Sequence, residues 1–339
     1  MTKEKILVTG CAGFIGFHLC KELIKQGNEV FGIDNINDYY DISLKHARLK
    51  ELGLKDNQIK NSEEKLQKSN KYDNFHFLKI NITNRELIQN IFTKFSPNKV
   101  VNLAAQAGVQ YSLKNPYVYA ESNILGFLNI IELCKKHSVE GFIYASSSSV
   151  YGGNKKMPFS ILDRVDNPIS FYGVTKRANE LIAHTYSHLY GLPTTGLRYF
   201  TVYGPWGRPD MAINIFTKNI MEGKPIKVFN NGEIKRDFTY IDDIISGTIS
   251  AIRKNYNCEI FNIGNNRPER LMDVIYDIEK KVGKKAKINF FPRQLGDPKQ
   301  NYANIKKTIE MLNYKPSINI AEGINNFIEW YLSYFSLEK

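Results

Sequence analysis

Gly10, Gly13 and Gly16 stand at intervals of three between a β-branched run and a run with helical periodicity, and no other feature of the chain restricts its fold as much. Lys5-Ile6-Leu7-Val8-Thr9 has the character of a buried parallel strand. Residues 12–26 then place Phe14, Ile15, Leu19, Leu23 and Ile24 at helical spacing, and 29–34 read as a second strand ending in Asp34. Together they make a β-α-β unit of about 30 residues. The glycine spacing differs from the G-x-G-x-x-G form, but it meets the same need: a tight turn, close approach of backbone to a pyrophosphate, and helix N-terminal N–H groups aimed at the anion. Asp34 lies 18 residues beyond Gly16, where a carboxylate accepts from adenosine ribose hydroxyls and repels a 2′-phosphate, favouring NAD over NADP. A plain structural turn would explain the glycines alone, though not their place between strand and helix.

Strand and helix patterns keep alternating for about 200 residues. Residues 75–80, 99–103, 140–146 and 193–199 read as strands, and 85–95, 118–137 and 172–190 as helices. The polar stretch 50–73 reads as an exposed helix and loop excursion. This pattern predicts an α/β fold: a Rossmann-like doubly wound parallel sheet with a smaller C-terminal α/β substrate lobe. Beyond Thr201, the residues Pro205, Gly207, Pro209, Gly223 and Pro225 break the chain into shorter pieces. The expected division is a nucleotide domain over 1–200, rejoined by 236–264, and a lobe built from 201–235 and 265–339. Within the lobe, 271–282 and 320–334 read as helices.

Composition narrows the function classes. The 339 residues carry 46 Lys+Arg against 34 Asp+Glu, and 42% are hydrophobic, the profile of a globular enzyme. The net charge of +12 is spread along the chain without an arm or stripe, so no nucleic-acid partner is expected. An anionic small substrate, or plain surface lysines, accounts for it. No membrane span and no secretory leader are read, so a cytoplasmic location is expected. Cys11, Cys20, Cys134 and Cys258 are scattered and read as reduced fillers. His184 and His188 share a helix face without a third ligand, so no metal is expected.

Tyr172 and Lys176 are four apart on a predicted helix, so the ammonium can stabilise a phenolate whose ordinary pKa is about 10. That pair makes a base for an alcohol, although Tyr-x-x-x-Lys also occurs by chance. Ala145-Ser146-Ser147-Ser148-Ser149-Val150-Tyr151-Gly152 follows a strand, with Ser147 and Ser149 on one face. Hydroxyls there can bond a reacting oxygen; a serine-rich loop is the plainer reading.

Taken together, these residues resemble the extended short-chain dehydrogenase/reductase superfamily over essentially the whole chain. Within it, the resemblance is to NAD-dependent nucleotide-sugar 4-epimerases of the UDP-glucuronate type that serve capsule and surface polysaccharides. It is carried by Asn35-Ile36-Asn37-Asp38-Tyr39-Tyr40, by Asn102-Leu103-Ala104-Ala105-Gln106-Ala107-Gly108-Val109, and by the run 197–211 that closes with Tyr203-Gly204-Pro205-Trp206-Gly207-Arg208-Pro209-Asp210-Met211.

The resemblance implies roles. Ser147, Tyr172 and Lys176 would be catalytic, acting on the sugar 4-hydroxyl while NAD takes up hydride. Gly10, Gly13, Phe14, Ile15, Gly16, Asp34, Asn35, Leu103, Ala104, Ala105 and Tyr199 would join Tyr172 and Lys176 in holding NAD. Asn81 stands where relatives often have an adenine-binding Asp. A 4-keto hexuronate is a β-keto acid that loses carbon dioxide easily, so its carboxylate needs restraint. Thr201, Arg208, Ser147, Ser148 and Ser149 would supply it. The glutamate of related decarboxylases and the Asp-Glu pair of related dehydratases are replaced here by Ser148 and Ser149. Phe229, Arg236, Arg293 and Asp297 would hold the UDP end; Gln294 stands where many relatives have arginine. Phe229 also reads as core, and Arg236 as a surface ion pair. A homodimer through helices including 172–190 is implied. The competing readings are a neutral-sugar epimerase for UDP-glucose or UDP-N-acetylglucosamine, and a non-catalytic NAD-binding protein.

Overall fold

A computed structural model describes residues 3–62, 65–293 and 300–335. Strand β1 (Lys5–Thr9) feeds helix α1 (Phe14–Lys25), followed by β2 (Glu29–Asp34), α2 (Ile42–Glu51), α3 (Asp56–Lys60), β3 (Gln67–Lys68), β4 (Phe75–Lys79) and α4 (Arg85–Phe95). After β5 (Lys99–Asn102) come α5 (Val109–Lys114), α6 (Tyr117–Tyr119), a π-helical turn over Ala120–Gly126, and α7 (Phe127–Lys136). Then β6 (Gly141–Ser147), α8 (Phe171–Tyr190) and β7 (Thr194–Tyr199) complete the first half.

Among the described residues these strands form an eight-stranded sheet in the order β11-β7-β6-β5-β1-β2-β4-β3, where β11 is Cys258–Ile263. All neighbours are parallel except β3 with β4. Alternation along β1 shows why: Ile6 and Val8 join one apolar cluster and Leu7 the other, so both faces are covered by helices. The chain leaves β1 toward β2 on one side and returns through β5 on the other. That reversal opens a crevice at the strand C-termini.

The second lobe is assembled from β8 (Thr201–Tyr203), α9 (Ala212–Met221), β9 (Pro225–Phe229), β10 (Lys235–Tyr240), β12 (Pro268–Arg270), α11 (Leu271–Val282), β13 (Lys287–Phe291), β14 (Gln300–Asn301) and α13 (Ile320–Tyr334). β10 pairs with β8, β12 and β14, whereas β9 pairs with β13. This corrects the expected return of 236–264. Of the strands here only β11 rejoins the large sheet; α10 (Ile241–Lys254) packs beside α1, and α12 (Lys306–Leu312) against α10 and β11, while β10 stays in the small sheet.

Two further expectations change. The excursion at 50–73 includes β3, which edges the large sheet. The predicted helix over 118–137 is interrupted by the π turn, where Asn123 is drawn into outside partners. Its Oδ1 accepts from Gln106 N at 2.8 Å, its Nδ2 donates to Thr175 Oγ1 at 3.0 Å, and its carbonyl accepts from Asn179 Nδ2 at 2.6 Å. A widened turn of this kind lets one side chain serve several partners.

Helix α8 begins at Ser170, whose hydroxyl accepts from Gly173 N, and ends at Gly191 in the left-handed region. Glu180 docks it onto the sheet. Its side chain is fully buried, accepting from Ser146 Oγ at 2.6 Å, Arg198 Nε at 2.7 Å, Arg198 Nη2 at 2.9 Å and Arg177 Nη1 at 3.0 Å. Burial alone would raise the Glu180 carboxyl, but Arg198 and the hydroxyl hold it below the usual range. Replacing Glu180 with Ala strands the buried Arg198 charge. The expected cost is about 3–5 kcal/mol, read as a fall in the denaturant midpoint; an unchanged midpoint would remove the pair from the stability of the sheet.

Candidate functional site

The crevice is the mouth of a cavity of about 1080 Å³ that runs from the glycine turn to the second lobe. At its nucleotide end, Gly10 has a φ of +72°, and a Cβ there would lie 2.8 Å from Ala104 N. A Cβ on Gly16 would stand 2.1 Å from Gly10 O, so only glycine lets α1 come this close to the turn. Helix α1 starts at Gly13 without a side-chain cap, leaving its N–H groups for a ligand anion. Asp34 is buried; its Oδ2 accepts from Ala12 N at 3.1 Å and its Oδ1 from Ile36 N at 2.8 Å, which fixes the carboxylate at the cavity wall. Thr9 Oγ1 donates to Asn102 Oδ1 at 2.7 Å and accepts from Ala104 N at 3.0 Å, locking β1 to the strip 103–105. Phe14, Ile15, Asn35, Asn81, Leu103, Ala104, Ala105 and Tyr199 all line the same space.

These residues suit a dinucleotide. The cradle is one that any Cβ would fill, the helix terminus is uncapped, and the Asp34 carboxylate at the end of β2 lines the same cavity.

Farther in, the Ser147 hydroxyl stands beside the Tyr172 phenol. Burial raises the phenol, while Ser147 and the charge of Arg208 pull the other way. Lys176 is buried with Nζ 6.0 Å from the centre of the Tyr172 ring, and it donates to Ala145 O at 2.8 Å. Burial lowers its pKa to about 8. Ser147 Oγ also accepts from Ser149 N at 3.1 Å, which turns the chain beneath the hydroxyls.

At the lobe end, Ser148, Ser149, Thr201, Arg208, Phe229 and Arg236 line the cavity. Phe229 packs on Phe291 with ring centres 5.7 Å apart, so it serves the lobe and the cavity wall at once. Arg293 is exposed and is not among the described residues that line the cavity, and Asp297 and Gln294 lie outside the described residues. Arg208 is not a lone cation. It holds Asp210 side-on, with Nε to Oδ1 at 3.0 Å and Nη2 to Oδ2 at 2.5 Å. Tyr39 OH donates to Asp210 Oδ2 at 3.2 Å, and its ring lies under the guanidinium at 5.6 Å. Burial and the nearby Asp210 push the Tyr39 phenol up to about 12.

Several lining residues carried no assignment from the sequence: Lys45, Gln106, Tyr111, Asp210 and Asn301. Asn301 Nδ2 donates to Ser148 Oγ at 3.1 Å, while its buried Oδ1 has no partner. Lys45 Nζ donates to Asn37 O at 2.7 Å. One residue behind the cavity ties its two ends together. Arg48 is completely buried and donates to Ala12 O at 2.8 Å, Tyr40 OH at 2.7 Å and Trp206 O at 2.6 Å. His184 and His188 stack on the outer face of α8 with ring centres 6.4 Å apart, away from this cavity.

Comparison with known proteins agrees with this geometry. Residues 6–264 match the NAD dependent epimerase/dehydratase family. The chain is 47% identical to Protein CapI of Staphylococcus aureus, over 98% of this chain and 99% of that one. It is 45% identical to a UDP-glucuronate 4-epimerase of Thermodesulfobacterium geofontis, over 96% of this chain and 95% of the relative. The crystal structure of UDP-glucuronic acid 4-epimerase from Bacillus cereus, in complex with UDP-glucuronic acid and NAD, superposes with a TM-score of 0.87 at 36% identity, covering 97% of this chain and 99% of that one.

The glycine cradle is directly testable. Gly16→Ala forces Gly10 O to move, whereas Gly13→Ala brings a Cβ only to 3.0 Å of the same atom. Dinucleotide retained by the purified protein, measured by chromatography after denaturation, should fall about tenfold or more for Gly16→Ala, a loss of about 1.4 kcal/mol, and less for Gly13→Ala. Equal retention in both would show that the turn does not bear on the ligand.

Proposed function

The chain belongs to the NAD dependent epimerase/dehydratase family, and on that premise we propose that it interconverts UDP-glucuronate and UDP-galacturonate by inverting carbon 4 of the sugar. One observation carries the choice of a uronate: the Arg208 guanidinium lines the same cavity as Tyr172, Ser147, Ser148 and Thr201, close enough that its charge acts on the Tyr172 phenol. A neutral hexose brings only hydroxyls to that cation, whereas a C6 carboxylate brings a charge that can pair with it. The relationship to UDP-glucuronate 4-epimerases and to Protein CapI supports the same reading, and with it we propose a part in surface-polysaccharide precursor supply.

NAD, when bound, supplies a reversible hydride acceptor at carbon 4. Gly10, Gly13 and Gly16 with the start of α1 would receive its pyrophosphate, Asp34 the adenosine ribose, and Asn81 the adenine. Tyr172 takes the proton of the sugar 4-hydroxyl and later returns one to the 4-oxygen. Ser147 hydrogen-bonds that oxygen, and the Lys176 ammonium favours the phenolate against the burial that opposes it. Between the two transfers the 4-keto sugar turns over in the cavity. Arg208, Thr201 and the three serines restrain the carboxylate so that carbon dioxide is not lost. Phe229 and Arg236 would meet the UDP end.

The active species is proposed to be a cytoplasmic homodimer. α7 and α8 pack on each other and expose Leu128, Leu181, Leu189 and Tyr190, with Leu181 52% and Leu189 60% accessible in the single chain. An outward apolar face of this kind suits a second copy. The paired change Leu181→Glu with Leu189→Glu should give a one-chain mass by light scattering where the parent gives two; identical masses would refute the interface.

The activity test is incubation with UDP-glucuronate and, separately, UDP-glucose, without added NAD, followed by proton NMR. UDP-galacturonate from the first and little product from the second is the expected result. Tyr172→Phe should slow turnover by about 10²-fold or more while dinucleotide retention persists. A UDP-pentose product, or UDP-galactose as the better product, would overturn the uronate epimerase reading.

A further inference from the structure

The Arg208–Asp210 pair is unusual for a cation assigned to an incoming carboxylate. Its side-on edge, the two-donor face that matches a carboxylate best, is already filled by a carboxylate of this chain. Only Pro209 separates the two residues, so the pair itself ties together no distant elements; with 19% and 32% side-chain exposure it is largely buried, and either charge left alone there would be costly. Asp210 has a second partner as well, since Tyr39 OH donates to the same Oδ2 that receives Nη2. Released by Arg208, Asp210 would still be hydrogen-bonded. The Tyr39 ring under the guanidinium would in turn hold Arg208 in place.

We propose that Asp210 is an internal stand-in for the substrate carboxylate: it occupies the Arg208 fork in the empty site and exchanges with the uronate each time the sugar binds, leaves or turns over. The proposal rests on the uronate reading above and explains how such a site can work. Epimerisation needs the keto sugar to present both faces, and a carboxylate clamped by an uncompensated guanidinium would resist that motion. With Asp210 beside it, Arg208 stays paired at every stage, and no bare buried charge appears when the substrate carboxylate lets go. The competition also lowers affinity for unrelated anions. Asp210 is therefore a positioning residue that acts through Arg208.

Two substitutions push the exchange in opposite directions. Asp210→Asn removes the competitor's charge, so UDP-glucuronate should bind about fivefold tighter while kcat falls and KM falls with it. Tyr39→Phe keeps the ring under Arg208 but removes the donor that shares Asp210, so UDP-glucuronate should bind about two- to threefold more weakly. UDP-glucose affinity should change by less than about twofold in both.

Both affinities are measured by titration calorimetry on the NAD-loaded protein in a Tyr172→Phe background, which prevents turnover; kcat and KM are taken with Tyr172 intact. Retained dinucleotide confirms that each variant is folded. Weaker uronate binding by Asp210→Asn, or parallel shifts for both sugars, would make Asp210 a scaffold for Arg208 and overturn the exchange. Failure of the substrate reading is separate: the protein with neither substitution would then not turn over UDP-glucuronate at all, and the exchange would fall with it.

Discussion

Glu180 lies without exposed surface between α8 and the sheet, and everything catalytic about the cavity depends on where it holds that helix. Its two oxygens collect a hydroxyl from β6, the Nε and Nη2 of Arg198 from β7, and a guanidinium from its own helix. A buried carboxylate so placed has one low-energy position. One helical turn earlier, Lys176 donates to a β6 carbonyl, and Tyr172 comes up beside Ser147 at the end of the same strand. On the other side, Asn179 and Thr175 pin α8 to the π turn through Asn123. The phenol, the ammonium and the serine hydroxyl are thus parts of one rigid seam between a helix and two strands. Their distances do not depend on a mobile loop.

The cavity has two ends of different character. The nucleotide end is backbone and glycine, shaped by close approach of main chain to main chain, and the Asp34 carboxylate there is fixed by two N–H groups. The sugar end is side chain: Tyr39, Tyr111, Tyr119 and Tyr172 form a file of rings with neighbouring centres 5.1, 6.2 and 6.1 Å apart. Lys45, Lys176, Lys227, Arg208 and Arg236 line the space against Asp34 and Asp210. That balance favours anionic diphosphates and fits the overall excess of basic residues.

Much of this was legible in the sequence because it is local. Strand, turn, glycine spacing and terminal Asp34 fall within about 30 residues, and Tyr172 with Lys176 needs only a helix. What the sequence hid is long-range. Residues 236–264 are expected to return to the large sheet, but nothing local says which sheet a strand there will join, and β10 pairs with β8, β12 and β14. Asn123 reads as an ordinary helix residue until Gln106 and Thr175 are brought to it. Asp210 could have been suspected from its closeness to Arg208, but sequence gives no sign that the two carboxylates, one internal and one from a ligand, want the same fork. Asn301 reaches Ser148 across 153 positions, beyond any spacing rule.

Arg48 gives the two ends a common history. A single buried guanidinium holds the carbonyl of Ala12 in the glycine turn and the carbonyl of Trp206, two residues before Arg208, while Trp206 itself sits at a φ of +64°. Neither segment can be remodelled without disturbing the other. A lineage that evolves toward a different sugar by rewriting 204–211 must keep a donor for the cofactor turn, so the two specificities drift together rather than as interchangeable modules. Grafting that loop from a distant relative would transplant half of a joint, and the part left behind is a helix outside the loop.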